Sequence, residues 1–234
     1  MLVAAAFVAV GIAVGLYAVA DGIKARDSRN LITVTGSARQ RVSSDYVIWD
    51  ASLSTQAATP QAAAAQLAAW IGKTRAFLLS AGVQESELSI APIQTDTVSE
   101  QGQYGPGKLV GYRLTRNFEV RSPRVAGIAA AVARTSDLLS RGIPLAAQPI
   151  QYVYTRLADL RPQLVAAATR DALTRARALV GTTGGRIGKL RSVDVGVFQV
   201  TAPNSTQVSD YGVYDTSTLA KDVIAVVNAS FSLS

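Results

Sequence analysis

Apolar residues recur with a helical period in three segments of the chain, 59–82, 122–142 and 162–185. Each segment opens at or beside a proline and closes on glycine, which are the usual start and stop signals of a helix. In the first segment Thr59 is the expected N-cap and Pro60 the first helical residue. Its predicted apolar face comprises Ala63, Leu67, Trp70, Ile71, Thr74, Phe77 and Leu78.

Other segments alternate between apolar and polar residues, the period of a half-buried strand. The clearest lie at 47–53, 112–120, 193–197 and 223–233, and weaker ones at 31–39, 89–98 and 149–156. The glycine-rich stretch Ser99–Gly107 is typical of a hairpin loop. The resulting order, β-β-α-β-β-α-β-α-β-β, predicts an α+β fold with mainly antiparallel sheets and three helices.

Thr201–Leu219 is a long polar connection between the last two predicted strands. Connections this long in a compact domain are usually functional or interfacial, and tyrosine favours interfaces because its apolar ring carries a polar hydroxyl. We therefore expect this loop and the hairpin loop to contact a second subunit. Deleting Thr201–Leu219 is then expected to reduce the size of an oligomer without unfolding the domain. The candidate interface residues are Tyr104, Asn204, Asp210, Tyr211, Tyr214 and Asp215.

An uncharged run from Leu2 to Ala20 opens the chain. As a helix it would be about 28 Å long, close to the ~30 Å hydrocarbon core of a bilayer, so it predicts one N-terminal transmembrane helix. The Ala-Val-Ala triplet that ends the run also fits a cleavage site, so a removed secretory leader is the alternative. We divide the chain into an anchor or signal segment at 1–22, a linker at 23–30 and an α+β domain at 31–234.

Two features of the opening run concern its packing and its orientation. Gly11 and Gly15 have the G-x-x-x-G spacing that lets two transmembrane helices approach closely, although alanine-rich segments produce this spacing by chance as well. Lys24, Arg26 and Arg29 follow the run. The positive-inside rule would place that end in the cytoplasm, which conflicts with an exported domain.

Composition excludes several kinds of chemistry. Apolar residues make up 49% of the chain and charged residues 17%, a balance that favours a folded core. The net charge of +7 comes from arginines scattered one at a time, so we expect no nucleic-acid binding. The sequence has neither cysteine nor histidine, which excludes disulfides, thiolate or imidazole metal ligands, and catalytic triads built on histidine. We expect no cofactor and no metal.

Two further features of the sequence concern catalysis, a glycine-rich segment and the acidic residues. Residues 184–189 resemble a phosphate-binding loop, but Thr183 replaces its first glycine and Leu190 its Ser/Thr, so we interpret them as a helix end. Paired carboxylates could hydrolyse a glycosidic bond. Asp159 and Asp171 lie near the start of the third predicted helix, where acidic residues are ordinary helix chemistry. A carboxylate-dependent hydrolase stays open as an alternative.

Several segments, taken in order, resemble the SIMPL-domain family. The matching pieces are Val34-Thr35-Gly36, Ser54-Thr55-Gln56, Ala81-Gly82-Val83, Gly111-Tyr112, residues 154–160 and Ile187-Gly188-Lys189-Leu190. The block 197–217 is most similar to the envelope branch of that family, the branch of the periplasmic immunogenic protein.

This resemblance implies a bacterial envelope protein that assembles into a ring or channel-like oligomer, with some relatives linked to oxidative-stress defence. It implies no catalytic residues. Together with the opening run, it predicts a non-enzymatic protein with one pass through the inner membrane. The N-terminal helix would contact lipid, and the folded domain would lie in the periplasm as part of a large homo-oligomer. A periplasmic ligand-binding module is the second alternative.

Overall fold

The computed structural model of the chain describes residues 30–100, 108–206 and 209–233. It contains two antiparallel sheets with helices packed against them, so the predicted α+β class is confirmed. The elements are β1 Leu31–Ser43, β2 Tyr46–Ala57, α1 Pro60–Ser80, β3 Leu88–Ile90, β4 Gln94–Glu100, β5 Lys108–Ser122, α2 Val125–Ala133, α3 Ser136–Ser140, β6 Ala146–Ala147, β7 Gln151–Val153, α4 Leu157–Gly181, β8 Ile187–Val195, β9 Gln199–Thr201 and β10 Ala220–Leu233.

The first sheet joins the two ends of the described chain. Strand β10 is central, with β1 along one side and both β8 and β9 along the other. The pairing of β1 with β10 is continuous from Leu31 opposite Ser232 to Ser43 opposite Ala220. Alternate residues of β10 are buried, as its sequence pattern predicts, and they pack with α4.

Helix α4 lies very close to β1. A Cβ atom built on Gly36 would stand only 2.2 Å from the carbonyl oxygen of Ala168 and 2.5 Å from the backbone nitrogen of Ala172. The helix presents Ala168, Ala172 and Ala176 to the sheet, and all three are fully buried. Small residues on both elements therefore allow the two backbones to meet.

The second sheet is built around β5 and β2. Strands β3 and β4 pair with β5, while β6 and β7 pair with the far side of β2. Helix α1 covers one face and buries the predicted apolar stripe, except that Trp70 is only half-buried. Thr59 caps α1 by accepting a hydrogen bond from the Ala62 amide at 3.3 Å, and Gly82 follows the helix with φ +99°, as its stop signal predicts.

Two of the predicted helices have different bounds in the structure. The second segment forms two short helices, α2 and α3, because Arg134 and Thr135 between these helices form a turn. The third helix begins at Leu157 rather than at Pro162. Pro162 lies just beyond the first turn, where it removes one amide donor and the preceding turn remains helical.

One predicted strand was too long. The segment 89–98 forms β3 and β4, separated by residues 91–93, which include Pro92 and so lack one ladder donor. The hairpin is supported by its flanks, because β4 and β5 pair antiparallel up to Glu100 opposite Lys108.

Several predicted features lie outside the described residues. These are the anchor or signal segment 1–22 with Gly11 and Gly15, the linker up to residue 29, and Tyr104. In the part of the chain that the structure describes, no helix combines the length and apolar character needed to cross a bilayer.

Candidate functional site

The long connection between β9 and β10 bridges the two sheets. The Val200 amide of β9 donates to the Val213 carbonyl at 2.7 Å, and the Asp215 amide donates to the Val200 carbonyl at 2.8 Å. On the other side, the Tyr152 amide of β7 donates to the Thr216 carbonyl at 2.7 Å. Since β9 belongs to the first sheet and β7 to the second, this loop holds them together.

A buried ion pair fixes the end of the loop. Lys221 is fully buried, and its Nζ donates to Asp215 Oδ2 at 3.2 Å and to the Thr218 carbonyl at 2.7 Å. Asp215 also accepts hydrogen bonds from the hydroxyls of Ser217 and Thr218 at 2.6 and 2.7 Å. Partial burial raises the pKa of Asp215, but the hydrogen bonds from Ser217, Thr218 and Lys221 outweigh it and hold that pKa well below its ordinary value. The carboxylate therefore stays ionised beside the ammonium.

A second carboxylate ties the start of the loop to the first sheet. Asp222, whose side chain is almost fully buried, accepts from Arg41 Nε and Nη2 at 2.9 and 3.1 Å. It also accepts from the Asn204 amide at 3.2 Å. The hydrogen bond from Arg41 lowers the pKa of Asp222, and the Asn204 amide acts in the same direction. Asn204 has φ +60°, a conformation that asparagine tolerates better than most residues.

The hydroxyl of Tyr214 completes the bridge. It donates to the Tyr154 carbonyl at 2.8 Å and accepts from the Tyr154 amide at 3.0 Å, so one side chain satisfies both backbone groups. Next to it Asp45 accepts from the Thr155 amide at 2.8 Å and from Arg156 Nε at 3.0 Å. These contacts hold the start of α4 against the turn between β1 and β2.

Tyr211 is the most exposed of the large hydrophobic residues that the structure describes. Its side chain is 98% exposed, and Val197 and Tyr214 nearby are 42% and 44% exposed. Grooves of about 460 and 600 Å³ lie on the two sides of Tyr211 and share Val197 as a wall. Val197 and Tyr211 line both grooves, and we call these two residues the Tyr211 surface.

The predicted interface residues thus divide into two groups. Asn204, Tyr214 and Asp215 make hydrogen bonds inside the chain, whereas Asp210 and Tyr211 lie open to solvent. Their role between subunits stays a prediction. The expectation that the loop can be deleted without unfolding the domain conflicts with this geometry, because deletion would strip Lys221 of its carboxylate.

Sequence reasoning missed the residues that anchor the loop, Arg41, Lys221 and Asp222. A signal for Lys221 was present. The buried positions of β10 alternate through Val223, Ala225 and the following odd-numbered residues, and extending that alternation one step back reaches Lys221.

Two acidic residues face each other on the second sheet. Asp50 lies directly opposite Glu119 across β2 and β5, but Glu119 accepts from Arg121 at 2.6 and 3.0 Å, and this pairing lowers its pKa. A general acid needs a raised pKa. Among the described residues, every carboxyl group with a resolved shift has a lowered pKa, and no group of three acidic side chains could hold a metal ion.

These features define an α+β domain with two helix-covered antiparallel sheets that a long polar loop bridges. The chain belongs to the SIMPL family, described as "Protein of unknown function (DUF541)", whose model matches residues 32–231. The resemblance seen in the sequence is confirmed at this level. No curated protein matches the chain.

Two solved structures show weak similarity. One is a putative amidohydrolase/peptidase from Burkholderia cenocepacia, 14% identical with a TM-score of 0.23 over 52% of this chain. The other is an amidase of the hydantoinase/carbamoylase family from Burkholderia phymatum, 15% identical with a TM-score of 0.25 over 56% of this chain. The matched regions span only 30% and 33% of those two proteins.

Proposed function

We propose that this protein is a non-enzymatic assembly protein of the bacterial envelope, close to the branch of the periplasmic immunogenic protein. In this proposal the opening run anchors it in the inner membrane, and copies of the periplasmic domain associate into a ring or channel-like oligomer. The observation that carries the proposal is the Tyr211 surface. An almost fully exposed tyrosine with exposed valine beside it is what the core of a subunit interface presents before association.

The anchor supports assembly by raising local concentration. Domains tethered to one membrane meet far more often than free domains, so a contact of modest strength is enough to close a ring. The loop supports it by rigidity, because the ion pair of Asp215 with Lys221 and the two hydrogen bonds of Tyr214 fix the end of the loop that carries Tyr211, and the Asn204 amide bound to Asp222 fixes its start. A preorganised contact loses less entropy on association.

Light scattering on the full-length protein in detergent tests this proposal. The wild type is expected to form one defined oligomer, and Tyr211→Ala is expected to yield smaller species at micromolar concentration. Leu179→Ala is the matched control, since Leu179 is 57% exposed on α4, away from the loop. A monomeric wild type, or a Tyr211→Ala protein of unchanged size, would reject the Tyr211 surface as the interface.

Location is tested separately. We expect the protein to sediment with inner membranes after a carbonate wash and its domain to be cleaved by a protease added to spheroplasts. A soluble mature protein lacking residues 1–20 would instead establish a cleaved leader. Survival of a deletion strain under peroxide tests the link to stress defence that the family resemblance implies.

A ligand-binding module is the second candidate, and the open face of the second sheet favours it. Asp50, Ser52, Asn117 and Gln148 line a groove of about 280 Å³ there. Carboxylate, hydroxyl and amide groups in one groove suit a ligand rich in hydroxyls, such as a saccharide. Titration with soluble cell-wall fragments tests this candidate: binding that Asn117→Ala abolishes would favour it over assembly alone.

A further inference from the structure

A basic groove lies on the helices that pack with the second sheet. It has a volume of about 430 Å³ and is formed by the second half of α1 together with α3 and the residues that follow it. Phe77, Leu138 and Ile143 contribute apolar walls, while Lys73 and Arg141 line it with charge. The volume lies in the usual range for small-molecule sites.

Two arginines converge on the aromatic wall of this groove. The guanidinium carbons of Arg134 and Arg141 each lie 5.8 Å from the centre of the Phe77 ring. Cation–π contacts hold both side chains over an apolar surface and leave their N–H groups free to donate elsewhere. Phe77 itself is 6% exposed, so the ring forms a wall of the groove and does not project into solvent.

The cations of this groove have no acidic partner in the described part of the chain. Lys73, Arg134 and Arg141 form no ion pair there within 4.0 Å, although Asp137 is near in sequence. Neighbouring basic residues on the same side of the domain are paired: Arg75 with Glu85 and Arg124 with Glu87. Three unpaired cations around one apolar groove repel one another, and a bound anion would relieve that repulsion.

We propose that this basic groove binds an anionic amphiphile. Its carboxylate or phosphate head would accept hydrogen bonds from Arg134, Arg141 and Lys73, since guanidinium N–H groups fit both anions in a bidentate manner. Its apolar chain would pack against Phe77, Leu138 and Ile143. The ligand combines both chemistries, so neither a free inorganic anion nor a neutral amphiphile should bind equally well.

Calorimetric titration of the full-length protein tests the proposal. The protein is held in phosphatidylcholine nanodiscs, and the heat from empty nanodiscs is subtracted. Octyl phosphate below its micellar concentration is the probe. Inorganic phosphate supplies the head alone, and octyl glucoside supplies the tail with a neutral head. We expect saturable binding of octyl phosphate and affinities at least about tenfold weaker for the other two.

Matched variants locate the site. Arg134→Gln with Arg141→Gln should weaken octyl phosphate binding about tenfold or more. Arg170→Gln with Arg177→Gln removes the same charge from a smaller groove of about 230 Å³ on α4, and it should change the affinity by no more than about twofold. Ala76→Phe fills the basic groove without changing charge and should also weaken binding. Circular dichroism verifies that each variant is folded.

The proposal is overturned if both double variants lose affinity equally, if octyl glucoside binds as well as octyl phosphate, or if no saturable binding occurs. Repeating the titration in phosphatidylglycerol nanodiscs separates two sources of the ligand. Unchanged affinity for octyl phosphate identifies a free amphiphile, and competition identifies the headgroup of an anionic membrane lipid. Either result supports the shared chemistry.

Discussion

The two sheets of this domain are covered by helices in two different ways. On the first sheet, Gly36 faces Ala168 and Ala172, so helix and strand backbones come close together. On the second, α1 meets the sheet through large side chains such as Trp49 and Phe118, both fully buried. Between α4 and the first sheet there is no room for a larger side chain, whereas the core under α1 depends on the volume that its large side chains fill. We therefore expect larger residues to destabilise the first half and smaller residues to destabilise the second.

Removing volume should damage the second half most. Phe118→Ala empties a position that is 1% exposed in the core between α1 and the sheet. We expect a loss of about 3–5 kcal/mol in the free energy of unfolding, measured by urea denaturation. Ala172→Gly, in the core of the first half, is the comparison and should cost only about 1 kcal/mol. A smaller loss for Phe118→Ala than for Ala172→Gly would break the contrast.

Removing the carboxylate between the halves should have an effect of similar size. Asp215→Ala leaves the fully buried Lys221 without its partner, and we expect a loss of about 3–5 kcal/mol in the free energy of unfolding. Lys221→Met should cost less, because Asp215 keeps its hydrogen bonds to Ser217 and Thr218. Urea denaturation of both variants checks this order, and an Asp215→Ala protein no less stable than Lys221→Met would contradict it.

Adding volume should damage the first half. Gly36→Ala places a methyl group against the backbone of α4, which cannot move as a side chain could, and about 1–3 kcal/mol should be lost. Gly72→Ala is the matched control on α1, where the new methyl group meets nothing within 4 Å. That substitution should stabilise the protein by up to about 1 kcal/mol through helix propensity. Thermal unfolding of both variants checks that Gly36→Ala lowers the melting temperature and that Gly72→Ala raises it.

Acid should destabilise the second half of the domain by protonating Glu87. Its hydrogen bonds from Arg124 lower the pKa from 4.5 to about 2, against the effect of partial burial, and the Ser122 hydroxyl assists. A lowered pKa in the folded state means stability that is present above pH 4.5 and lost as the pH falls towards 2. Glu87→Gln should flatten this part of the stability profile. Glu85→Gln removes the same charge from a side chain that is 59% exposed and serves as the control.

The sequence predicted the elements whose signals are local. Helix α1 was found because its cap, apolar stripe and stop lie within one segment, and β5 and β10 because their alternation is long. The start of α4 was misplaced because proline is favoured at helix starts, yet here the preceding residues are held by Asp45 from the turn between β1 and β2. Such a contact depends on tertiary structure and leaves no local pattern.

The sequence singles out the loop 201–219 as a candidate site but does not give the contacts that its residues make. The length and polarity of the loop 201–219 marked it as more than a connection. The loop folds back between the two sheets, and only this folding brings Tyr214 to the Tyr154 backbone and Asp215 to Lys221. A linear pattern lists these side chains without saying which face inward. Tyr211 therefore had no feature in the sequence to separate it from Tyr214.

The pairing of β1 with β10 has a consequence for how the protein is made. These strands are the first and last of the described chain, and the Leu233 amide still donates to the Asn30 carbonyl at 2.8 Å. During synthesis, the residues of the second sheet leave the ribosome well before β10 exists. Until β10 is made, β1 lacks its pairing strand and the apolar stripe of α4 lacks the strand against which it packs. Premature termination anywhere within the fourteen residues of β10 would release a chain with one finished half and one open half, a natural substrate for quality-control proteases.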